Sequence, residues 1–266
     1  MLSHRALRVK SRLSWLDLSL VDGPTCARIV ASQTARIRLT RRILWSKALT
    51  KTIAFFDMDR TVLTDSSGVL YMRYLRRQGH VSRRALLQSF WYAALYKVGL
   101  FNYPMVAAKL AQSAASQNEA QTAAVCQRFF DDMLVHYVAQ SALQRIQEHR
   151  VQGHSVTLVS ASTSYVVAPV AAHLGIQDYL CTRLVVHEGL FTGAIVQPPC
   201  YGADKVWHAQ QFAQRHGGDL AQAYFYSDSL SDVPLLEAVG HPVVVNPDPR
   251  LKPLAAQRGW PIERFY

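Results

Sequence analysis

The chain reads as an α/β protein: a mostly parallel sheet covered on both faces by helices, with an all-helical segment inserted after the first strand. Three observations predict this. Apolar runs rich in branched and aromatic residues over 53–56, 155–160, 221–227 and 242–245 read as buried strands. Helical patterns lie between the later strands, the alternation that builds a parallel sheet. Roughly eighty residues of helical character separate the first strand from the second, far more than a crossover needs, and so read as an insertion.

With 266 residues, 50% hydrophobic and 18% charged, the chain can bury a sizeable interior and is not composed like a disordered one. Its net charge of +11 is uneven. Residues 1–51 carry eleven Lys or Arg against Asp17 and Asp22, whereas the remainder carries eighteen against sixteen acids. This Arg- and Ser-rich leader fits a transit peptide, a basic arm for nucleic acid or anionic lipid, or an extension with no fold of its own. Cys26, Cys126, Cys181 and Cys200 show no paired spacing, which favours reduced thiols in a cytoplasmic setting and argues against zinc. An organelle is the alternative location if the leader is a transit peptide. No apolar run reaches the length of a membrane span; the nearest, 89–101, is broken by Lys97.

In chain order, the strand over 53–56 leads through a polar connection at 64–68 to a helix over 69–77. Leu86, Leu87, Phe90, Trp91, Ala94 and Leu95 form one stripe of a helix over 83–98, and Pro104 opens a further helix at a first-turn position. Residues 118–150 read as one or two more helices. The strand over 155–160 then precedes a helix over 165–174, a hairpin within 182–196 turning at His187-Glu188-Gly189, a helix over 203–216, a strand, a helix over 233–239 and a last strand over 242–245. The expected division is a leader at 1–50, an α/β core from 51–67 and 152–266, and a helical cap over 68–151.

Chemistry concentrates where strands end. The first strand stops at Asp57, with Asp59 two residues on and Thr61 after it. Two anions at the mouth of a buried strand repel and lose hydration, so either a cation sits between them or one keeps its proton. The second strand ends in Ser160-Ala161-Ser162-Thr163-Ser164 just before a helix, where free N–H groups and hydroxyls suit an anion. Lys205 stands alone at a helix start, and Asp228 and Asp232 follow the strand at 221–227. Ligands of parallel sheets bind beyond the carboxyl ends of strands, so one fold brings Asp57, Ser160 and Asp228 together. Turn-capping carboxylates, an N-capped helix after Ser227 and a solvated lysine are the plainer readings of the same residues.

Taken together, Asp57-x-Asp59-x-Thr61, Ser160, Lys205 and Asp228 with Asp232 resemble the four motifs of the haloacid dehalogenase superfamily, in its phosphoserine-phosphatase-like branch. The resemblance spans about residues 52–260 and implies a three-layer Rossmann-like core with an inserted helical cap. It implies a Mg²⁺-dependent phosphomonoesterase in which Asp57 is the nucleophile and Asp59 the general acid and base. Thr61, Ser160, Ala161 and Lys205 would bind phosphate; Asp57, Asp59 through its carbonyl and Asp228 would hold the metal, with Asp232 behind them. A second aspartate favours phosphoryl transfer over carbon–halogen cleavage.

Two departures bear on the substrate. Phosphoserine phosphatases hold the substrate ammonium with a glutamate where this chain has Ser66, and they place glycines where it has Ala161 and Ser162. A small phosphorylated substrate is expected, with Ser66 counting against phosphoserine and Ala161 and Ser162 against a close backbone approach to the phosphate, and with no obligatory nucleic acid. Between Asp65 and Glu119 the chain has no acid, while Arg73, Arg76, Arg77, Arg83, Arg84, Lys97 and Lys109 are basic, a field that would draw anions or merely a solvated helix face. Phe90, Trp91, Tyr92, Tyr96, Phe101 and Tyr103 are expected chiefly to pack the cap on itself. Transfer to an alcohol instead of water is the alternative enzymatic reading; a basic binding protein acting through the leader is the alternative of another class.

Overall fold

A computed structural model of the chain describes residues 51–79, 81, 82, 84, 87 and 103–266. The leader, the helix expected over 83–98 and most of the aromatic group at 90–101 lie outside the described residues. Strand β1 (Ile53–Phe56) is the centre of the architecture. All four of its residues are fully buried, because successive side chains enter opposite faces of the sheet and helices cover both.

The sheet contains β2 (Ser155–Thr163), β3 (Tyr179–Thr182), β6 (Tyr224–Ser227), β7 (His241–Val245) and β8 (Ile262–Glu263) besides β1. Its order is β3-β2-β1-β6-β7-β8 and every pairing is parallel. Phe55 stands opposite Thr157 on one side and Phe225 on the other. The α/β class and parallel sheet expected from the alternation are thus present. Strand β8, two residues long, has too little sequence to show a period and was not expected.

Each face of the sheet has its own core. Ala54 and Phe56 point into one, with Leu70 and Tyr74 of α1 (Ser67–Arg77), Phe129 and Phe130 of α3 (Glu119–Asp132), Ala142 and Ile146 of α4 (Gln140–Val151), and Val167 and Val170 of α5 (Ser164–His173). Ile53 and Phe55 point into the other, against Ala209 and Phe212 of α6 (Asp204–Arg215), Leu235 and Leu236 of α7 (Val233–Ala238), and Leu251 of α8 (Leu251–Arg258). Phe56 also stacks on Tyr226, ring centroids 4.4 Å apart. Helix α4 falls within the expected cap, yet its buried face at Ala142 and Ile146 joins the core under β1 and β2.

Helix α2 (Tyr103–Ser113) and the connection into α3 meet a hairpin of β4 (Leu184–His187) and β5 (Leu190–Ile195). The hairpin turns at Glu188 and Gly189, both with positive φ, 50° and 76°, the geometry that matches the twist of paired strands. Ser116 N–H donates to Phe191 O at 2.8 Å, Phe191 N–H to Gln117 O at 3.0 Å and Glu119 N–H to Gly189 O at 2.9 Å, tying it to the α2–α3 connection. Among the described residues no helix is long and apolar enough to cross a membrane, and Cys126, Cys181 and Cys200 are buried free thiols.

Two stability predictions arise here. A Cβ on Gly240 would stand 1.9 Å from Ala221 O, and a carbonyl cannot rotate aside as a side chain can. Gly240→Ala is therefore expected to cost about 3 kcal/mol, read as a shift of the urea midpoint; an unchanged midpoint would show that the β7 approach yields freely.

His149 of α4 is 3% exposed and bridges His154 Nδ1 and Tyr226 OH, both at 2.8 Å. Burial, then His154 and Arg145, lowers its pKa from 6.5 to about 4. An unfolded chain takes up this proton below pH 6.5 and the folded one only near pH 4, so stability falls as pH drops through that window. The loss is on the order of 3 kcal/mol. His149→Gln, which cannot titrate, is expected to lose less stability than the parent between pH 7 and 4.5. Parallel losses in the two proteins would clear His149 of this role.

Candidate active site

The carboxyl ends of β1, β2 and β6 lie side by side at one edge of the sheet, and four distant stretches converge there. Asp57 follows the last residue of β1, and its N–H donates to Tyr226 O at 2.9 Å, which carries the sheet one residue past the strand. The chain then leaves the sheet in a tight coil over Met58–Val62, with Arg60 at φ 58°, and Asp59 emerges at this edge. Lys205, on the first turn of α6, is 2% exposed. Its Nζ donates to Asp57 Oδ1 at 2.7 Å and to Asp232 Oδ2 at 2.8 Å. A buried ammonium needs such partners, and Asp232 is fixed in turn by Ser227 Oγ at 2.7 Å.

Asp228, just beyond β6, is 5% exposed, and its carbonyl accepts from Asp248 N–H at 2.9 Å. Asp248 is itself fixed, its Oδ1 accepting from Arg250 N–H and Leu251 N–H at 2.8 Å each and its Oδ2 from Leu230 N–H at 3.0 Å. The loops after β6 and β7 are thereby locked together at the same edge.

Asp59 is held from two sides. Ser67 N–H, at the start of α1, donates to its Oδ1 at 2.6 Å, and Ser162 Oγ donates to its Oδ2 at 3.3 Å. Ser160 is 1% exposed and its Oγ accepts from Ser162 N–H at 3.2 Å. Here the expected geometry needs correction: β2 runs on to Thr163 with a register shift between Ser160 and Thr163, and α5 starts only at Ser164. Ser160 and Ala161 therefore lie in an irregular strand end rather than at the helix N-terminus, because Ser160 and Thr163 pair with β3 while the Ser162 side chain between them turns to Asp59.

The electrostatics follow from counting charges. Asp57, Asp59, Asp228 and Asp232 share one buried cation, Lys205. Two carboxylates within hydrogen-bond reach outweigh burial and hold the Lys205 ammonium well above its usual pKa. One shared cation is not enough for Asp57, where burial and the Asp232 charge prevail over Lys205 and push the pKa from 3.8 to about 7. Burial, then Asp57 and Asp232, raises Asp228 well above the carboxylate range, with Arg60 opposing. Burial also raises Asp59 against the hydrogen bonds from Ser67 and Ser162. Asp232 Oδ1 and Thr61 Oγ1 are buried with no hydrogen-bond partner among the described residues. An all-oxygen site short of positive charge suits a hard divalent cation that keeps several waters.

Sequence comparison fits this geometry. The profile of haloacid dehalogenase-like hydrolases matches residues 54–237, which include every motif residue above. The chain belongs to this family. A probable phosphatase of Mycobacterium tuberculosis is 34% identical to this hydrolase over 218 residues, 81% of this chain and 76% of the relative. A Bordetella pertussis Tohama I protein of unknown function has a TM-score of 0.74 at 30% identity, covering 82% of this chain and 100% of that one. A phosphoserine phosphatase solved with an analogue of its phospho-aspartyl intermediate has a TM-score of 0.60 at 18% identity, covering 82% and 95%, and so shares the fold.

Residues that strand-end reasoning missed also contact these strand ends. Tyr103 was grouped with aromatics packing the helical segment on itself, yet its OH donates to Ala161 O at 2.5 Å and lies 3.1 Å from Thr182 Oγ1. Its ring stacks on Tyr201 with centroids 4.2 Å apart. Helix α2 is thus joined to the β2 and β3 ends beside Lys205. Ser67 and Asp248 gave no signal beyond ordinary helix capping. Arg73, one of the basic residues expected to draw anions, lies 3.7 Å from Asp65.

Proposed function

We propose that this hydrolase is a Mg²⁺-dependent phosphomonoesterase acting on a small organic phosphate through an aspartyl-phosphate on Asp57. The observation that carries the reading is the placement of Asp57 at the end of the central strand, 2.7 Å from a buried lysine, with Asp59 restrained two residues away. Relatives carrying phosphatase names support the reaction class.

In the first step an Asp57 carboxylate oxygen attacks phosphorus, the bond to the ester oxygen breaks, and Asp59 gives its proton to that oxygen, releasing the alcohol. In the second, Asp59 takes a proton from water as it attacks the same phosphorus. The bond to Asp57 breaks, and inorganic phosphate leaves. Lys205 neutralises the nucleophile and the phosphoryl oxygens together, and Ser160 and the Ala161 N–H are assigned to those oxygens. Thr61, on the coil that carries Asp59, is assigned to the same oxygens, its hydroxyl having no hydrogen-bond partner among the described residues. Asp57, Asp228 and the Asp59 carbonyl would hold Mg²⁺, which when bound supplies the positive charge that four acids and one lysine lack.

The segment from α1 through α3 is assigned as the cap, ending before α4, whose His149 packs on Phe56 of β1 and bonds Tyr226 OH of β6. Ser66 in place of a glutamate directs the substrate away from phosphoserine. The deciding experiment is phosphate release across amino-acid, sugar, nucleotide and lipid monoesters, with and without a chelator and with Mg²⁺ restored. Release that a chelator abolishes and Mg²⁺ recovers is the expected result. Indifference to the chelator would remove the metal, and silence across every ester would remove the activity.

A further inference from the structure

Ser162 lies outside the four motifs, yet its side chain meets Asp59. It is half-buried, on the irregular end of β2. Its Oγ lies 3.3 Å from Asp59 Oδ2 and 3.0 Å from Ser67 Oγ, while its N–H is anchored on Ser160 Oγ at 3.2 Å. The other Asp59 oxygen, Oδ1, accepts from Ser67 N–H at 2.6 Å. One carboxyl is thus gripped at both oxygens, by the first turn of α1 and by the end of β2, elements that approach from different sides.

The two grips differ in kind. A backbone N–H only donates, so Oδ1 must remain an acceptor, and a proton carried by Asp59 belongs on Oδ2. A hydroxyl both donates and accepts, so Ser162 can keep its contact with Oδ2 whether or not that proton is present. An alanine at this position would leave Oδ2 free to swing about the Oδ1 anchor. Misaiming a proton donor slows only reactions that need the proton.

We propose that Ser162 is a positioning residue that aims the proton-bearing oxygen of Asp59 at the leaving group. The inference rests on the assignment of Asp59 as general acid and specifies what holds it in place. It has a signature that a merely structural serine lacks: the loss depends on the basicity of the leaving oxygen.

The test compares kcat/KM, which reports only the first phosphoryl transfer, for glycerol monophosphate and for para-nitrophenyl phosphate in Mg²⁺ buffer. The alkoxide needs protonation and the nitrophenolate does not. Ser162→Ala is expected to lose about tenfold on the glycerol ester and less than about twofold on the aryl ester. Ser162→Thr, which keeps the hydroxyl, is expected to restore most of the glycerol ester rate. Equal losses on the two esters, or no loss on the glycerol ester, overturn the inference. Asp59→Asn tests the underlying assignment separately. A selective loss on the glycerol ester in that variant upholds the acid role, whatever Ser162→Ala does. A uniform loss overturns that role and the positioning role with it.

Discussion

Asp57→Asn is expected to release no measurable phosphate from any monoester while folding as the parent does. An amide oxygen is a poor nucleophile, and loss of a residue that forms the covalent intermediate costs on the order of 10⁴-fold or more. The fold survives because the asparagine oxygen can still accept from Lys205, as Asp57 Oδ1 does at 2.7 Å. Stability should not fall and its pH dependence should change. Burial and the Asp232 charge, against Lys205, raise the pKa of Asp57 from 3.8 to about 7. The folded protein therefore binds a proton that the unfolded chain has lost between those values, and the contribution of Asp57 to stability declines as pH rises from about 4 to 7, opposite in sign to that of His149. Asparagine has no such slope. Urea midpoints at pH 5 and 8 in the presence of chelator, alongside phosphate release, test both halves. Surviving turnover would remove Asp57 as nucleophile, whereas a collapsed midpoint would make the loss of activity uninformative.

Lys205→Met carries the largest expected stability cost. Its ammonium is buried between Asp57 and Asp232, so its removal leaves two carboxylates that have no other ion-pair partner among the described residues. Breaking a buried pair from one side costs about 3–5 kcal/mol, and losing the charge that offsets the attacking and transferring groups costs on the order of 10³-fold in kcat. The double variant Lys205→Met with Asp232→Asn should recover part of the stability, because one of the stranded charges is gone, and none of the activity. Lys205→Arg should not substitute, since a planar guanidinium cannot direct one compact charge at two convergent oxygens. Chemical denaturation of the single and double variants measures this. A single variant as stable as the parent would falsify the claim that these carboxylates depend on Lys205.

What could be read from sequence had local signatures. Asp57, Ser160 and Asp228 were placed because each terminates an apolar run, and parallel strands gather such ends on one edge. The hairpin turn at Glu188-Gly189 was legible through Gly189, the residue type that takes positive φ without a Cβ clash, between two strand-like runs. Other features depended on partners distant in sequence. Nothing around Tyr103 announces a bond to Ala161 O, 58 residues away. Helix α4 shares one core with α1 and α3, and what sets it against the strands is His149, packed on Phe56 and bonded to Tyr226, a partner 77 residues away. Serines at 160–164 look like a helix cap, and the strand continued through them because pairing with β3 extends to Thr182.

The chain leaves β1 and later returns to the sheet along adjacent paths. Leu63 pairs with Val138, Thr64 N–H donates to Tyr137 O at 2.8 Å, and Ala139 N–H donates to Val62 O at 2.9 Å. Departure and return are therefore stitched into a single short ribbon. A change of length in the connection between α1 and α2 can therefore be taken up without altering the register of any strand. A reactive edge built this way keeps Asp57 seated on the sheet while that connection reshapes which ester fits, and Ser67 on Asp59 and Tyr103 on Ala161 bind the excursion back to the edge it serves.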